Sequence, residues 1–203
     1  MRFFDPHMSA ILFVDSQNFF KKIEEVMVSQ AGEKPRFDNY NFAGLFDSAL
    51  QGIKLDRKIF YSGKLSIDHD NVKKSKELIE RQRLIKLHLE KSGFEFLISG
   101  RVRAHIEMDS RGRPVKTFKE KGVDVAMAVD MVSFACDKKI TSAVIGSSDS
   151  DLQPAIRELR KRGIERIYLG FEMNPNKGMT YTTDRTILIR NAEVLRFVTQ
   201  TLV

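Results

Sequence analysis

Ala143-Val144-Ile145-Gly146-Ser147-Ser148-Asp149-Ser150-Asp151-Leu152 decides how this chain is read. An apolar run gives way to small polar residues and then to two aspartates one residue apart. It continues into Gln153-Pro154-Ala155-Ile156-Arg157-Glu158-Leu159, which has the pattern of a helix. Strands of α/β domains end in this way, and their ligands bind just beyond the carboxyl ends of the strands. Two carboxylates so close repel each other, and the pair is costly unless a cation lies between them or one takes up a proton. Far upstream, Ile11-Leu12-Phe13-Val14-Asp15-Ser16-Gln17-Asn18 repeats the arrangement, an apolar run that stops at an aspartate.

Working outward, apolar runs of strand length occur at 10–14, 58–61, 94–98 and 166–169 as well as at 143–146. Helical spacing of apolar residues connects them: Gln17 to Ser29, a short helix capped by Asn39 or Asn41 and ending at Leu50, a long helix from Asp70 or Asn71 to Gly93, and Gly122 to Asp137. The last of these is apolar nearly all round and reads as buried against a sheet. Strands alternating with helices at this spacing imply a parallel sheet covered on both faces. The alternation breaks at 101–118, where Arg101, Arg103, His105 and Glu107 alternate with Val102, Ala104, Ile106 and Met108, a turn follows, and Pro114 to Phe118 can return. This is the pattern of an inserted hairpin with a basic face. Residues 170–182 read as a loop and 183–198 as mostly helical. The expectation is α/β, a three-layer sandwich on a mainly parallel, roughly five-stranded Rossmann-like sheet, with one domain over 9–203 and residues 1–8 as a tail or cloning remnant.

The net charge of +7 is concentrated. Segments 72–91 and 100–121 each hold seven Lys or Arg against three Asp or Glu, and the rest of the chain is close to neutral. Localised basic charge is a footprint for phosphate backbones. The hairpin candidates for holding a nucleic acid are Arg101, Arg103, Arg111, Arg113, Lys116, Lys119 and Lys121. No apolar run approaches the ~20 residues that span a bilayer, so no membrane partner is expected. The single cysteine, Cys136, falls in an apolar helix, reads as a small buried hydrophobe, and fits a cytoplasmic location.

The acids can converge. Parallel strands place Asp15, Asp149 and Asp151 on one sheet edge, and Asp124 opens the helix that leads to the same edge. Asp124 or Asp149 taken singly reads as a helix cap; a cap explains Asp15 less well, because Ser16 and Asn18 are available, and Asp151 poorly, because one cap is enough. An all-oxygen set favours Mg²⁺ or Mn²⁺ over zinc, and the four histidines are scattered. Asn18 and Ser147 are neutral groups placed to orient a ligand. Asp130 lies too far round and along its helix to share one metal with Asp124 and reads as structural.

Three blocks, Ile11 to Asn18, Lys121-Gly122-Val123-Asp124-Val125-Ala126-Met127-Ala128-Val129-Asp130, and Ser147 to Leu152, resemble in order and spacing the signature blocks of NYN domains, PIN-like ribonuclease folds, and are most similar to their bacterial LabA/DUF88 branch. The resemblance covers about residues 9–200. It implies an α/β/α sandwich, a Mg²⁺ or Mn²⁺ site and hydrolysis of RNA that leaves a 5′-phosphate. It carries over Asp15, Asp124, Asp149 and Asp151 as catalytic metal ligands, with Asn18 and Ser147 beside them. One departure stands near the site: Ser148 occupies a position that is usually glycine. A Toprim-type site is disfavoured because Asp15 stands where a glutamate is required, and a haloacid-type phosphatase because Gln17 stands where a second aspartate is required. The competing class is a weakly catalytic or non-catalytic module of the same fold that binds RNA or protein. RNA is the expected partner, with DNA and the oligomeric state left open.

Overall fold

The computed structural model describes residues 9–68, 71–109 and 112–199. In chain order the elements are β1 (Ser9–Asp15), α1 (Ser16–Ala31), α2 (Phe42–Ala49), β2 (Arg57–Lys64), α3 (Val72–Lys91), β3 (Glu95–Met108), β4 (Pro114–Lys121), α4 (Val123–Cys136), β5 (Ile140–Gly146), a 3-10 turn (Ser150–Leu152), α5 (Gln153–Lys161), β6 (Glu165–Phe171), α6 (Lys177–Thr182), β7 (Arg185–Ile189) and α7 (Asn191–Arg196). The strand order across the sheet is β4-β3-β2-β1-β5-β6-β7. Every neighbouring pair is parallel except β3 with β4.

Apolar residues on both faces send β1 to the centre. Leu12 and Val14 point into one core with Phe19, Phe42, Phe46, Phe60, Val144 and Ile167. Ile11 and Phe13 point into the other with Met127, Met131, Ile145, Ile156 and Tyr168. Helices α1, α2, α3 and α7 cover the first face, and α4 and α5 the second, giving the three layers that the sequence pattern implies.

Several expectations are corrected. The sheet gains a sixth parallel strand, β7, in a stretch expected to be helical, and α6 occupies the segment expected to be a loop. The third strand and the first arm of the hairpin are one element, β3, bent where its pairing with β2 slips between Ser62 and Lys64. Helix α4 is buried on one side only: Val123, Met127 and Met131 face the core, while Val125 and Val129 are more than half exposed and Cys136 is exposed. Its all-round apolarity hid which face packs.

The edge strand β7 is held by a charge pair rather than by packing alone. Arg166 in β6 is 4% exposed. Its guanidinium donates from Nε to Asp184 at 2.8 Å and from Nη1 to the Thr182 carbonyl at 2.9 Å, and its Nη2 also bonds Asp184. Arg166 holds the Asp184 carboxyl below its usual pKa, so this stabilisation is present above the ordinary aspartate range and is lost as pH falls through the lowered value. Removing one partner of a buried pair leaves an uncompensated charge. Asp184→Ala is expected to cost about 2–3 kcal/mol, below the roughly 3–5 of a fully buried pair because Asp184 is partly solvated, measured by urea unfolding.

Candidate active site

Strands are added outward from β1 to β3 on one side, and the chain then returns to place β5 on the other. The strand order therefore reverses between β1 and β5, where open α/β sheets form their ligand crevice. Val14 is opposite Gly146 in register, so the next residues out, Asp15 and Ser147, leave the sheet side by side.

Asp15 is the N-cap of α1: its Oδ1 accepts from the Asn18 N–H at 3.0 Å. It is thus both cap and candidate ligand, and the nearby Ser16 and Asn18 do not take over the cap. Ser147, buried, donates from Oγ toward Asp15 Oδ2 at 3.5 Å and accepts the Asp149 N–H at 3.1 Å, so one hydroxyl ties the two acids together. Asp149 in turn caps the 3-10 turn, accepting the Asp151 N–H at 2.9 Å. Asn18 Oδ1 accepts the Ser148 N–H at 3.0 Å, fastening α1 to the loop after β5.

Asp124 arrives from the other layer. Gly122, with φ of 86°, is the N-cap of α4, and Asp124 lies in the first turn, where its charge suits the helix N-terminus. Asp15, Asp124, Asp149 and Asp151 line one open pocket of about 380 Å³, together with Gln17 and Lys121. Burial raises the Asp15 pKa above its ordinary value; the Asn18 N–H opposes this, and the nearby Asp149 charge adds to it.

Lys121 connects this pocket to the hairpin. In the sheet register Lys64 of β2 is opposite Arg101 of β3, and Arg101 is opposite Lys121 of β4. Three exposed cations thus stand in one row at the carboxyl edge, next to the acids. Like charges directly opposite destabilise a sheet, and an anion laid across the row relieves them. The backbone of Arg103 is opposite Lys119, continuing this row, whereas Lys116 is opposite Ile106, in the alternate one. The side chains of Arg103, Lys116 and Lys119, and all of Arg111, lie outside the described residues. Arg113 is engaged in the hairpin turn, its N–H and Nε both donating to Asp109.

The family model of the NYN domain matches residues 9–190. The chain belongs to the NYN domain family. NYN domains belong to the PIN-like nuclease superfamily and are generally ribonucleases. A crystal structure of a protein of unknown function from Vibrio parahaemolyticus shares the fold, with a TM-score of 0.56 and 16% identity, over 93% of this chain and 96% of that one. No curated protein matches the chain. Among the described residues no helix is long and apolar enough to cross a membrane.

Set against the NYN pattern, Ser148 costs the backbone nothing: Lys138 is the only non-glycine with positive φ among the described residues, so position 148 needs no glycine. Its hydroxyl lies 3.1 Å from that of Tyr168, and its carbonyl accepts Asn176 Nδ2 at 2.7 Å. Tyr168 and Asn176 brace the acidic loop from β6 and from the cap of α6. Neither is marked in the sequence, because their contacts form only once β6 lies beside β5. Asp130 accepts the Tyr61 hydroxyl at 2.9 Å, a structural bond.

The donors in the pocket fit a hard divalent cation in kind: four carboxylates and the amide oxygen of Gln17, with no thiolate or imidazole. Among the described residues no three His, Cys, Asp or Glu side chains stand close enough to form a ready-made metal site. The raised Asp15 pKa comes first from burial, with the neighbouring Asp149 charge adding to it.

Proposed function

We propose that this NYN domain is a Mg²⁺- or Mn²⁺-dependent ribonuclease, a single unit over residues 9–203 belonging to the LabA/DUF88 branch, that hydrolyses RNA phosphodiester bonds. The observation that carries the reading is that Lys121 stands both in the four-aspartate pocket and in the cationic row with Arg101 and Lys64. A carboxylate cluster alone repels RNA, and a basic row alone only binds it; the two joined hold a phosphate at a place where hydrolysis can be promoted.

Asp15, Asp124, Asp149 and Asp151 would hold the cation. When bound it supplies Lewis acidity toward the phosphate and a water of lowered pKa. The chain's own groups do the rest. Ser147 fixes the relative position of Asp15 and Asp149, and Asn18 fixes the loop against α1, so both are positioning residues. Lys64, Arg101 and Lys121 draw in the backbone without reading sequence, with Arg103, Lys119, Arg111, Lys116 and Arg113 extending the basic surface along the hairpin.

The test is incubation of purified protein with end-labelled single-stranded RNA in Mg²⁺, in Mn²⁺ and in EDTA. Cleavage in the divalent ions that leaves 5′-phosphate ends and stops in EDTA is the expected result. RNA that is bound but intact in every condition would establish the binding-module reading instead. The same assay on DNA measures the preference. Lys121→Ala with Arg101→Ala is expected to weaken RNA binding and to reduce the salt slope by about two, one for each phosphate contact removed.

A further inference from the structure

A second cavity, of about 460 Å³, lies against the acidic pocket between α1 and α3, and Gln17 belongs to the walls of both. Its size falls within the range of small-ligand sites, about 300–1,000 Å³. Its wall is largely apolar and aromatic. Phe20 and Phe37 both line it and are stacked on each other at 4.5 Å between centroids, which makes that side rigid.

A few polar groups interrupt this wall, and the most buried of them makes no hydrogen bond among the described residues. Ser16 is 2% exposed, and its hydroxyl makes no hydrogen bond among the described residues. Asp15 takes the cap of α1, so the helix has no use for that hydroxyl. Burying it unpaired is costly. Gln82 Nε2 donates to Ser62 Oγ at 3.0 Å and to the Gly63 carbonyl at 2.9 Å, which spends its donors and leaves its amide oxygen as an acceptor. The exposed Lys21 and Arg81 belong to the same wall. Its one carboxylate, Glu24, is paired with Lys34.

We propose that this cavity seats one unpaired nucleobase of the RNA strand, adjacent to the phosphate held at the acids; the inference rests on the ribonuclease reading above. An apolar slot with the Ser16 hydroxyl and the Gln82 amide oxygen in its wall suits the flat body and polar edge of a base. Cations beside it suit the phosphates on either side. RNA is recognised in this way when its bases are splayed out of single strands. Continuity with the acidic pocket through Gln17 makes the occupant part of the substrate strand, not a separate ligand.

The test is fluorescence anisotropy in EDTA, where nothing is cut, using a labelled six-nucleotide single-stranded RNA and the same RNA with one abasic ribose at each position in turn. One position is expected to be sensitive, binding weakening by about tenfold there, within the worth of a stacked base. Ser16→Ala and Leu78→Trp, the second filling the cavity, are expected to bind intact RNA more weakly and to show a much reduced response to the abasic position. Ser16→Ala removes the unpaired hydroxyl and should melt no lower than the parent protein, so its loss of binding is not a loss of fold. Arg81→Ala should weaken intact and abasic RNA alike. Equal binding of all the abasic RNAs overturns the proposal, as does full abasic sensitivity in both cavity variants. A nucleoside monophosphate that binds as tightly as the hexamer also overturns it and makes the cavity a free-nucleotide site. Cleavage in Mn²⁺ is scored separately. Cleavage without abasic sensitivity sinks the base seat alone, and abasic sensitivity without cleavage sinks the ribonuclease reading alone.

Discussion

Asp149→Asn is expected to lower RNA cleavage by about a thousandfold or more while leaving the protein as stable as before, or more so. The loss corresponds to about 4 kcal/mol of transition-state stabilisation at 1.36 kcal/mol per tenfold, the several kcal/mol assigned to a catalytic cation's charge stabilisation. The fold is spared for a geometric reason. Asp149 Oδ1 caps the 3-10 turn by accepting the Asp151 N–H, and an asparagine keeps that carbonyl oxygen. The Asp149 N–H remains bonded to Ser147. Only the charge is removed, and that charge is one of the causes raising the pKa of the buried Asp15. A carboxyl whose folded pKa is raised contributes stability fully present below its unfolded value, near 3.9, and lost as pH rises through the folded one. Without divalent ions the parent protein is therefore penalised at pH 7 and relieved in acid. Asp149→Asn is expected to melt higher at pH 7 in EDTA, with the difference shrinking as the pH approaches 4. Single-turnover cleavage in Mn²⁺ and thermal melts in EDTA measure the two halves. A variant that cuts RNA as fast as the parent would remove Asp149 from the mechanism. One that melts far lower would make the acid structural.

The acidic edge was legible in the sequence because its logic is local. A central parallel strand must be apolar on both faces, so the abrupt polar stop at Asp15 and at Ser147 marks the carboxyl edge without any knowledge of packing. The start of α4 is equally local, since Gly122 and Asp124 announce a helix N-terminus. What the sequence hid depends on pairing between distant segments. Ile187, Leu188 and Ile189 form an apolar run too short for periodicity to separate strand from helix, and they become a strand because Arg166 and Asp184 secure that edge. Lys64 looks like any exposed lysine after a strand; its place in a cationic row exists only through the registers of β2, β3 and β4. The cavity between α1 and α3 was illegible for a related reason. Ser16 reads as a helix-start residue, and the fact that Asp15 has already taken the cap appears only in the geometry.

Gly100→Ala is expected to destabilise the protein by about 2–5 kcal/mol, combining about 1–2 for a left-handed residue with a Cβ and about 1–3 for forced overpacking. Position 100 has φ of 73°, and a Cβ there would stand 2.5 Å from the Lys121 carbonyl oxygen and 3.0 Å from the Val123 nitrogen. All of these neighbours are backbone and cannot rotate away. The contact lies at the bend where β3 leaves its pairing with β2 and enters the hairpin, against the residues that end β4 and begin α4. A methyl group there pushes on Lys121, the cation of the pocket, and on the first turn that carries Asp124. The melting temperature is expected to fall by roughly 4–20 °C at about 2–4 °C per kcal/mol for a chain of this size, and cleavage by the variant should drop at temperatures where it is still folded. Gly112→Ala isolates the steric part: its φ is 70°, but nothing lies within 4 Å of the added Cβ, so only the conformational cost applies and cleavage should be unchanged. If the two variants melt alike, the backbone approach at Gly100 is looser than 2.5 Å and the hairpin does not set the position of Asp124. If Gly100→Ala alone loses both stability and cleavage, the hairpin is part of the machinery that places the fourth acid, as well as a surface for RNA.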